Sequence, residues 1–370
     1  MNQTLSASKI KTMTSCSWLY WCKYHLKLPD KTNDGALKGS IVHLVLECLG
    51  VDRHKKHHDL ILKKGSVTAS KAVKRLILKH ARASNLLGDN SNLEDIYDMA
   101  FRGAVYDFFG KNLGKPTETI SEKEFELEVI EEDLKYKVKG FIDRLFIYGR
   151  KGVVLIRDFK TNKKVYEGKE VTDNLQDYIY TLAVRRLYPK FKNVKMEFVF
   201  LKAMESSRSE TGKWQIVGSD KSILQMREKS EDELKGFEYE LTDFQSYAEN
   251  FTQETASSSL ASEQGMPKDG SFSGRLLCGF AKKPNELKKD GSPKWYCSYK
   301  FPFDYYSVID EKNQTKRSFF TEKEAIKYKQ KKDKILKLHY TGCPSFNKPA
   351  TPPPFEWSSE VDDEFDLDKF

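Results

Sequence analysis

Two neighbouring apolar stretches each carry an acid beside core residues, and this constrains the 370-residue chain more than any other feature. The first is Gly140-Phe-Ile-Asp143-Arg144; the second is Leu155-Ile156-Arg157-Asp158-Phe159-Lys160-Thr161. They lie in runs that read as strands, Tyr136–Tyr148 and Val153–Phe159, joined by the turn Gly149-Arg-Lys-Gly152. Alternation along a strand puts Asp158 and Lys160 on one side and turns Phe159 to the core. Asp143 is expected to end the first strand and to meet them there.

The surroundings read as a small mixed α/β core. From Lys123, Phe125, Leu127 and Val129 alternate with Glu124, Glu126 and Glu128, the signature of a half-buried strand. A helix is expected over roughly 173–187, a strand over Val194–Leu201, a hairpin strand over Trp214–Val217 and an acid-rich helix near 230–250. Upstream, residues 4–28 read as a capped amphipathic helix or pair, and a second helix begins near Gly39. Residues 51–115 are rich in Lys, Arg and His and predict two or three helices. Residues 252–275 read as a loop or linker. A last helix is expected from about Thr321, holding Lys323, Lys327, Lys329, Lys331, Lys332, Lys334 and Lys337. Pro344 and Pro352-Pro353-Pro354 then close the folded part.

Composition narrows the class. At 39% hydrophobic residues the chain can build a core, which excludes wholesale disorder. No apolar run reaches the roughly 20 residues of a membrane span. Six cysteines and no apolar leader argue against a secreted disulfide scaffold and for a cytoplasmic protein, in a bacterium or a phage-infected host. The net charge of +9 is unevenly placed: residues 356–370 hold seven acids against Lys369, a net of −6, so residues 1–355 carry +15. A basic body with an acidic end points to a nucleic-acid partner.

Two carboxylates converging with a lysine across neighbouring strands suit phosphodiester hydrolysis. Hard oxygen ligands hold a divalent metal, which activates water, while the lysine positions that water or steadies the developing charge. Asp-x-Lys alone is equally explained by a solvated strand face. Its company favours the site: Gly39-Ser40-Ile41-Val42-His43 upstream, and Gln176-Asp-Tyr-Ile-Tyr180 downstream, where i, i+4 spacing puts Gln176 and Tyr180 on one helical face.

Taken in order with Ser6-Ala-Ser8-Lys-Ile10, Cys16 and Tyr20, these motifs resemble the RecB-type PD-(D/E)XK nucleases. Relatives include the CRISPR-associated RecB-like exonucleases and the mitochondrial genome maintenance exonuclease. The resemblance covers about residues 4–190, and weakly 278–306. It implies a restriction-endonuclease-like α/β core, a small mixed sheet flanked by helices, in a nuclease domain spanning 1–345. A helical insertion would occupy about 51–115 and a C-terminal extension about 252–345. Residues 346–370 would be a Pro-rich linker and a disordered acidic tail. The resemblance also implies His43, Asp143 and Asp158 as metal ligands together with the backbone carbonyl of Phe159. Lys160 would be the catalytic lysine, with Gln176 and Tyr180 bracing the site or contacting the scissile strand. Where the family often has Glu, this chain has Asp158, one methylene shorter. An imidazole ligand makes Mn²⁺ as suitable as Mg²⁺.

The activity so implied is that of a metal-dependent DNA exonuclease acting on single strands or ends in replication, recombination or repair. A structure-selective endonuclease is one alternative. A catalytically silent DNA-binding subunit is another, against which the intact His43, Asp143, Asp158 and Lys160 count. On the Lys-rich helix, Lys327, Lys331 and Lys334 are candidates for DNA phosphate contact, the alternative being a solvated face.

Many relatives hold an iron–sulfur cluster on one N-terminal and three C-terminal cysteines. Cys16 matches the first, and Leu277-Cys278-Gly279-Phe280 and Trp295-Tyr296-Cys297 resemble parts of the rest. The tight Cys-x-x-Cys and the final cysteine are missing, so Cys343 supplies a fourth ligand only by a large departure. The expectation is therefore a cluster-free lock of aromatic packing rather than a cluster on Cys16, Cys278, Cys297 and Cys343. Cys22 and Cys48 read as core cysteines. His54, His57 and His58 read as part of a solvated basic loop. The end of the tail, Val361 to Phe370, resembles the acidic, Phe-ending tails of single-stranded-DNA-binding proteins. It suits docking on a replication protein, or simple solubilisation.

Overall fold

The Glu-alternating stretch opens a five-stranded sheet in the computed structural model, which describes residues 3–31, 33–264 and 274–347. The chain divides into two units, residues 1–14 with 31–252 and residues 15–30 with 253–370. Among the described residues no helix is long and apolar enough to cross a membrane.

In the first unit, β1 (Glu118–Ile130) and β2 (Lys135–Tyr148) form a long antiparallel pair, and β3 (Val153–Lys160) adds antiparallel to β2. Helix α6 (Leu175–Leu187) crosses over to β4 (Asn193–Phe200), which runs parallel to β3. Strands β5 (Glu205–Arg208) and β6 (Trp214–Val217) make the expected hairpin, and β7 (Ile223–Gln225) closes the sheet in the order β1-β2-β3-β4-β7. Covered on both faces, β3 is buried along nearly its whole length, apolar from Val153 to Ile156 and then carrying Arg157, Asp158 and Lys160.

Helix α1 (Ala7–Ser15) precedes this sheet in the chain, and α2 (Asp34–Leu49) starts five residues before Gly39. Residues 51–115 hold α3 (Lys55–Lys64), α4 (Lys71–Ala83) and α5 (Asn90–Val105), within the two or three helices expected. These helices and α2 pack Val45, Leu46, Ile77, Ile96 and Met99 against Phe159 and Val199 of the sheet. His58 does not sit in a solvated loop: it is buried on α3, and its Nε2 lies 2.8 Å from the Ala104 carbonyl. Helix α7 (Glu231–Glu249) begins with a Ser230/Glu233 capping box.

The second unit departs most from expectation. The Lys-rich segment is not one helix. Strands β8 (Phe303–Ile309), β9 (Thr315–Phe319) and β10 (Lys334–Tyr340) form a sheet in the order β10-β8-β9, and only α8 (Glu322–Tyr328) is helical. Lys327 therefore lies on α8, Lys331 in a turn and Lys334 at the start of β10, so the three share no helical face. Lys334 and Lys337 fall on opposite faces of β10, and their i, i+3 spacing reads as a helical one when few apolar residues mark the period. Cys22, Leu28, Tyr299, Tyr305 and Tyr340 form the core of this unit. The proline run and the acidic tail lie outside the described residues.

Arg157 and Glu197 form an ion pair across β3 and β4 with both side chains fully buried, Nε to Oε1 2.5 Å. Tyr106 and Gln225 donate to Glu197 Oε2, and Arg157 also donates to the Asp107 carbonyl at 2.8 Å. Replacing Arg157 by Ala leaves a buried carboxylate without its cation, and the expected loss is about 3–5 kcal/mol in chemical unfolding. Replacing both residues by apolar ones of similar volume should recover much of that loss; a single Arg157→Ala cost below about 1 kcal/mol would refute this account.

Candidate active site

The site forms where β2 and β3 part. Their ladder runs to the pair Arg144–Arg157, and one residue further the Asp143 carboxylate replaces the partner strand, its Oδ2 accepting the Phe159 N–H at 2.7 Å. Asp143 thus lies inside β2 rather than at its end. The same carboxylate meets His43, Oδ1 to Nδ1 3.1 Å. Helix α2 carries His43 there because Asn33 caps it, accepting the Ala36 N–H at 2.8 Å, and because Gly39 faces Thr161. A Cβ at Gly39 would sit 2.7 Å from Thr161 Oγ1, so a larger residue would push the helix off the end of β3. The two glycines of the motifs have the same use: a Cβ at Gly140 would meet Phe125 at 2.7 Å and Tyr180 at 3.2 Å.

Asp158 and Lys160 point into the site and Phe159 into the core, as alternation requires. Asp158 is 3% exposed, and Lys160 Nζ lies 2.6 Å from its Oδ2. That approach is an ion pair without hydrogen-bond alignment, so Oδ2 is a buried oxygen with unused acceptor capacity. Gln176 ties the two together: its Nε2 donates to Asp158 Oδ1 at 2.5 Å and its Oε1 accepts from Lys160 at 2.6 Å. Asn174 caps α6 by accepting the N–H groups of Gln176 and Asp177 and so fixes this side chain. Lys160 also rests over the Phe198 ring at 4.9 Å. Tyr180, one turn on, is buried edge-on to Phe125.

Electrostatics follows from this geometry. Burial pushes the Asp158 carboxyl above its ordinary range, and Asp143 adds to the push while Lys160 opposes it. Burial pulls the Lys160 ammonium down, but Asp158 outweighs it and the group ends raised. For His43, burial again pulls down, and the charge and hydrogen bond of Asp143 win, leaving it at about 9. Burial pushes the Tyr180 hydroxyl well up, with Asp158 adding.

Sequence reading missed Glu122. It sits on β1 opposite Asp143, in a left-handed backbone conformation (φ 46°) that interrupts the β1–β2 ladder. His43, Glu122 and Asp143 bring one ligand atom each within 4.8 Å of one another. Burial and then Asp143 and Glu47 push the Glu122 carboxyl up to about 7. The only trace in the sequence is a Glu one step before a run in which every second residue is acidic, which reads as a solvated face. The imidazole and the carboxylates, Asp158 Oδ2 with its spare lone pair among them, make a donor set that fits a divalent cation. Asp143, Asp158, Phe159, Lys160, Gln176 and Tyr180 line one cavity of about 650 Å³ with His43.

Residues 4–274 match the family model described as "PD-(D/E)XK nuclease superfamily". The chain belongs to that superfamily. It is also similar to a crystal structure described as "Putative exonuclease" from Eubacterium rectale, with 13% identity and a TM-score of 0.40 over 67% of this chain and 82% of that one. No curated protein matches the chain.

In the second unit Cys16, Cys278, Cys297 and Cys343 lie near enough to act on one another's charge, although sequence spacing had set them apart. Burial raises the Cys297 thiol to about 12, and Cys16, Cys278 and Cys343 each push it further, while the Tyr299 N–H draws it down. Burial raises Cys343 to about 11; the N–H groups of Ser345 and Phe346 oppose this, and Cys16 and Cys278 add to it. The Cys297 N–H donates to the Cys278 carbonyl at 3.2 Å. The inserted strands β8 to β10 account for the long gap before Cys343.

With its proton held to about pH 9, His43 must release it before the imidazole can ligate a cation. Mn²⁺ binding followed by calorimetry in buffers of different ionisation enthalpy should therefore release about one proton at about pH 7–8, and fewer above about pH 9. Affinity should rise with pH through that window. The His43→Gln variant should lose this proton; the same release from the variant would show that another group supplies it.

Proposed function

We propose that the chain is a metal-dependent deoxyribonuclease that removes nucleotides from single-stranded or duplex ends, with Mg²⁺ or Mn²⁺ as the cation. The observation that carries this reading is the buried Asp158–Lys160 pair, clamped by Gln176 beside Asp143 and His43. A bound divalent cation supplies the Lewis acidity that activates water. The chain itself fixes the geometry. Lys160 keeps its charge at neutral pH, so it acts as a cation that orients the attacking water and steadies charge on phosphorus, not as a proton acceptor. Gln176 holds the ammonium and the Asp158 carboxylate at fixed spacing, and Tyr180 stays a neutral phenol.

The preference for ends and for DNA rests on the likeness of the motif order to RecB-type nucleases, and affinity for a polyanion on the +15 carried by residues 1–355. Work in replication, recombination or repair, with the tail ending at Phe370 docking on a replication protein, belongs to the same reading. Lys327, Lys331 and Lys334 are the proposed phosphate contacts in the second unit. End-labelled linear DNA should be shortened in Mg²⁺ or Mn²⁺, and circular DNA left intact. Asp158→Asn and Lys160→Met should each lower the rate by about 10²-fold or more, the scale on which removing one preorganised charge or donor weakens transition-state stabilisation. Cleaved circles would make the protein an endonuclease, and absence of any metal-dependent cleavage would remove the enzyme reading.

The four gathered thiols fit an iron–sulfur cluster, which needs four thiolate ligands and is tuned by hydrogen bonds to its sulfurs. We assign Cys16, Cys278, Cys297 and Cys343 as its ligands, against the aromatic lock expected from spacing. Protein purified without oxygen should be coloured and carry iron. Cys343→Ser should lose both colour and iron, whereas colourless, iron-free wild type would restore the aromatic lock.

A further inference from the structure

The space around Asp143 divides by charge. Toward β3 it is lined by Lys160, Lys163 and Lys202. Toward α2 and β1 it is lined by Leu44, Glu47, Glu122 and Phe141, and among the described residues there it holds no Lys or Arg. The ammonium groups that hold a phosphate thus stand on the first side, and the second offers the apolar surface of Leu44 and Phe141. What suits the second side is the uncharged part of a nucleotide.

Phe141 stands at that side with half its surface exposed. It is two residues from Asp143 on β2, so alternation gives the two side chains the same face, while Ile142 between them is buried. An aromatic ring left in water beside a phosphodiester site offers a face to a base, and base–aromatic stacking is tolerant of sequence. Inside a duplex both faces of a base are covered by its neighbours and only the terminal pair shows one, whereas an unpaired base can turn a face to the ring.

We propose that Phe141 stacks on the base that adjoins the scissile phosphate, and that this stacking directs the site to unpaired nucleotides. The inference rests on the nuclease reading above. It is a specificity role, separate from the cation and lysine chemistry. Leu44 lines the same space as the ring, and Lys163 and Lys202 line the side toward β3 where the phosphates would lie.

The test is binding of end-labelled single strands that carry one abasic site at successive positions, measured by fluorescence anisotropy with Ca²⁺ so that binding is read apart from cleavage. Wild type should lose about tenfold in affinity at a single position near the end. Phe141→Ala should bind the intact strand as weakly as wild type binds that abasic strand, with no further loss there. Phe141→Trp should restore the wild-type profile. Phe141→Leu, which keeps apolar bulk without a ring, should behave like the Ala variant and guards against a folding defect. A flat wild-type profile, no binding of single strands, or a Phe141→Ala profile equal to wild type would overturn the proposal. Strands bound with the expected profile but left uncut in Mg²⁺ or Mn²⁺ would refute the nuclease reading and leave the stacking role standing.

Discussion

A carboxylate at 3% exposure is the constraint around which the first unit is built. Asp158 cannot sit uncompensated at the end of a buried strand, because an isolated charge taken out of water is too costly. Three neighbours answer that demand: Lys160 from the same strand, Gln176 from the crossover helix, and His43 from α2, which also engages the like charge of Asp143 one strand over. Each requires a particular element in a particular place. The parallel β3–β4 pairing forces the crossover that brings Gln176 back, and the parting of β2 from β3 leaves the N–H that anchors Asp143.

That parting explains why weak motifs become a site. Gly39 and Gly140 carry no chemistry, yet each removes a Cβ that would hold α2 or Tyr180 away. Glu122 adds the opposite device, a side chain aimed by a backbone conformation that a strand residue seldom adopts. The site is thus assembled by close approach and local strain as much as by its charged groups.

The core was legible because its signals are periodic. Alternation marked β1 and β3, apolar spacing marked α4 and α5, and i, i+4 spacing placed Gln176 and Tyr180 together. What escaped had no period of its own. Glu122 is hidden among glutamates that are ordinary surface residues. Strand β10 carries Leu336 and Leu338 exposed, with Lys334 and Lys337 among them, so burial does not stamp a pattern on it. The four cysteines escaped for a topological reason: a three-stranded sheet lies between Cys297 and Cys343 in sequence, and spacing cannot show that its two ends return to one place.

The charge balance of the site bears on how the fold persists without a cation. Protonated His43 and Lys160 offset Asp143 and Asp158, and the raised Glu122 is drawn toward its neutral form near pH 7. The unliganded site therefore approaches neutrality by itself. A cation entering it need not rescue an unstable cluster of like charges, because it exchanges for a proton on His43. Affinity for a polyanion must then come from elsewhere in the body, whose +15 is distributed far beyond these few residues. Separating the two tasks lets the centre stay finely spaced by Gln176 while the surrounding lysines supply a salt-sensitive hold that asks for no fixed geometry.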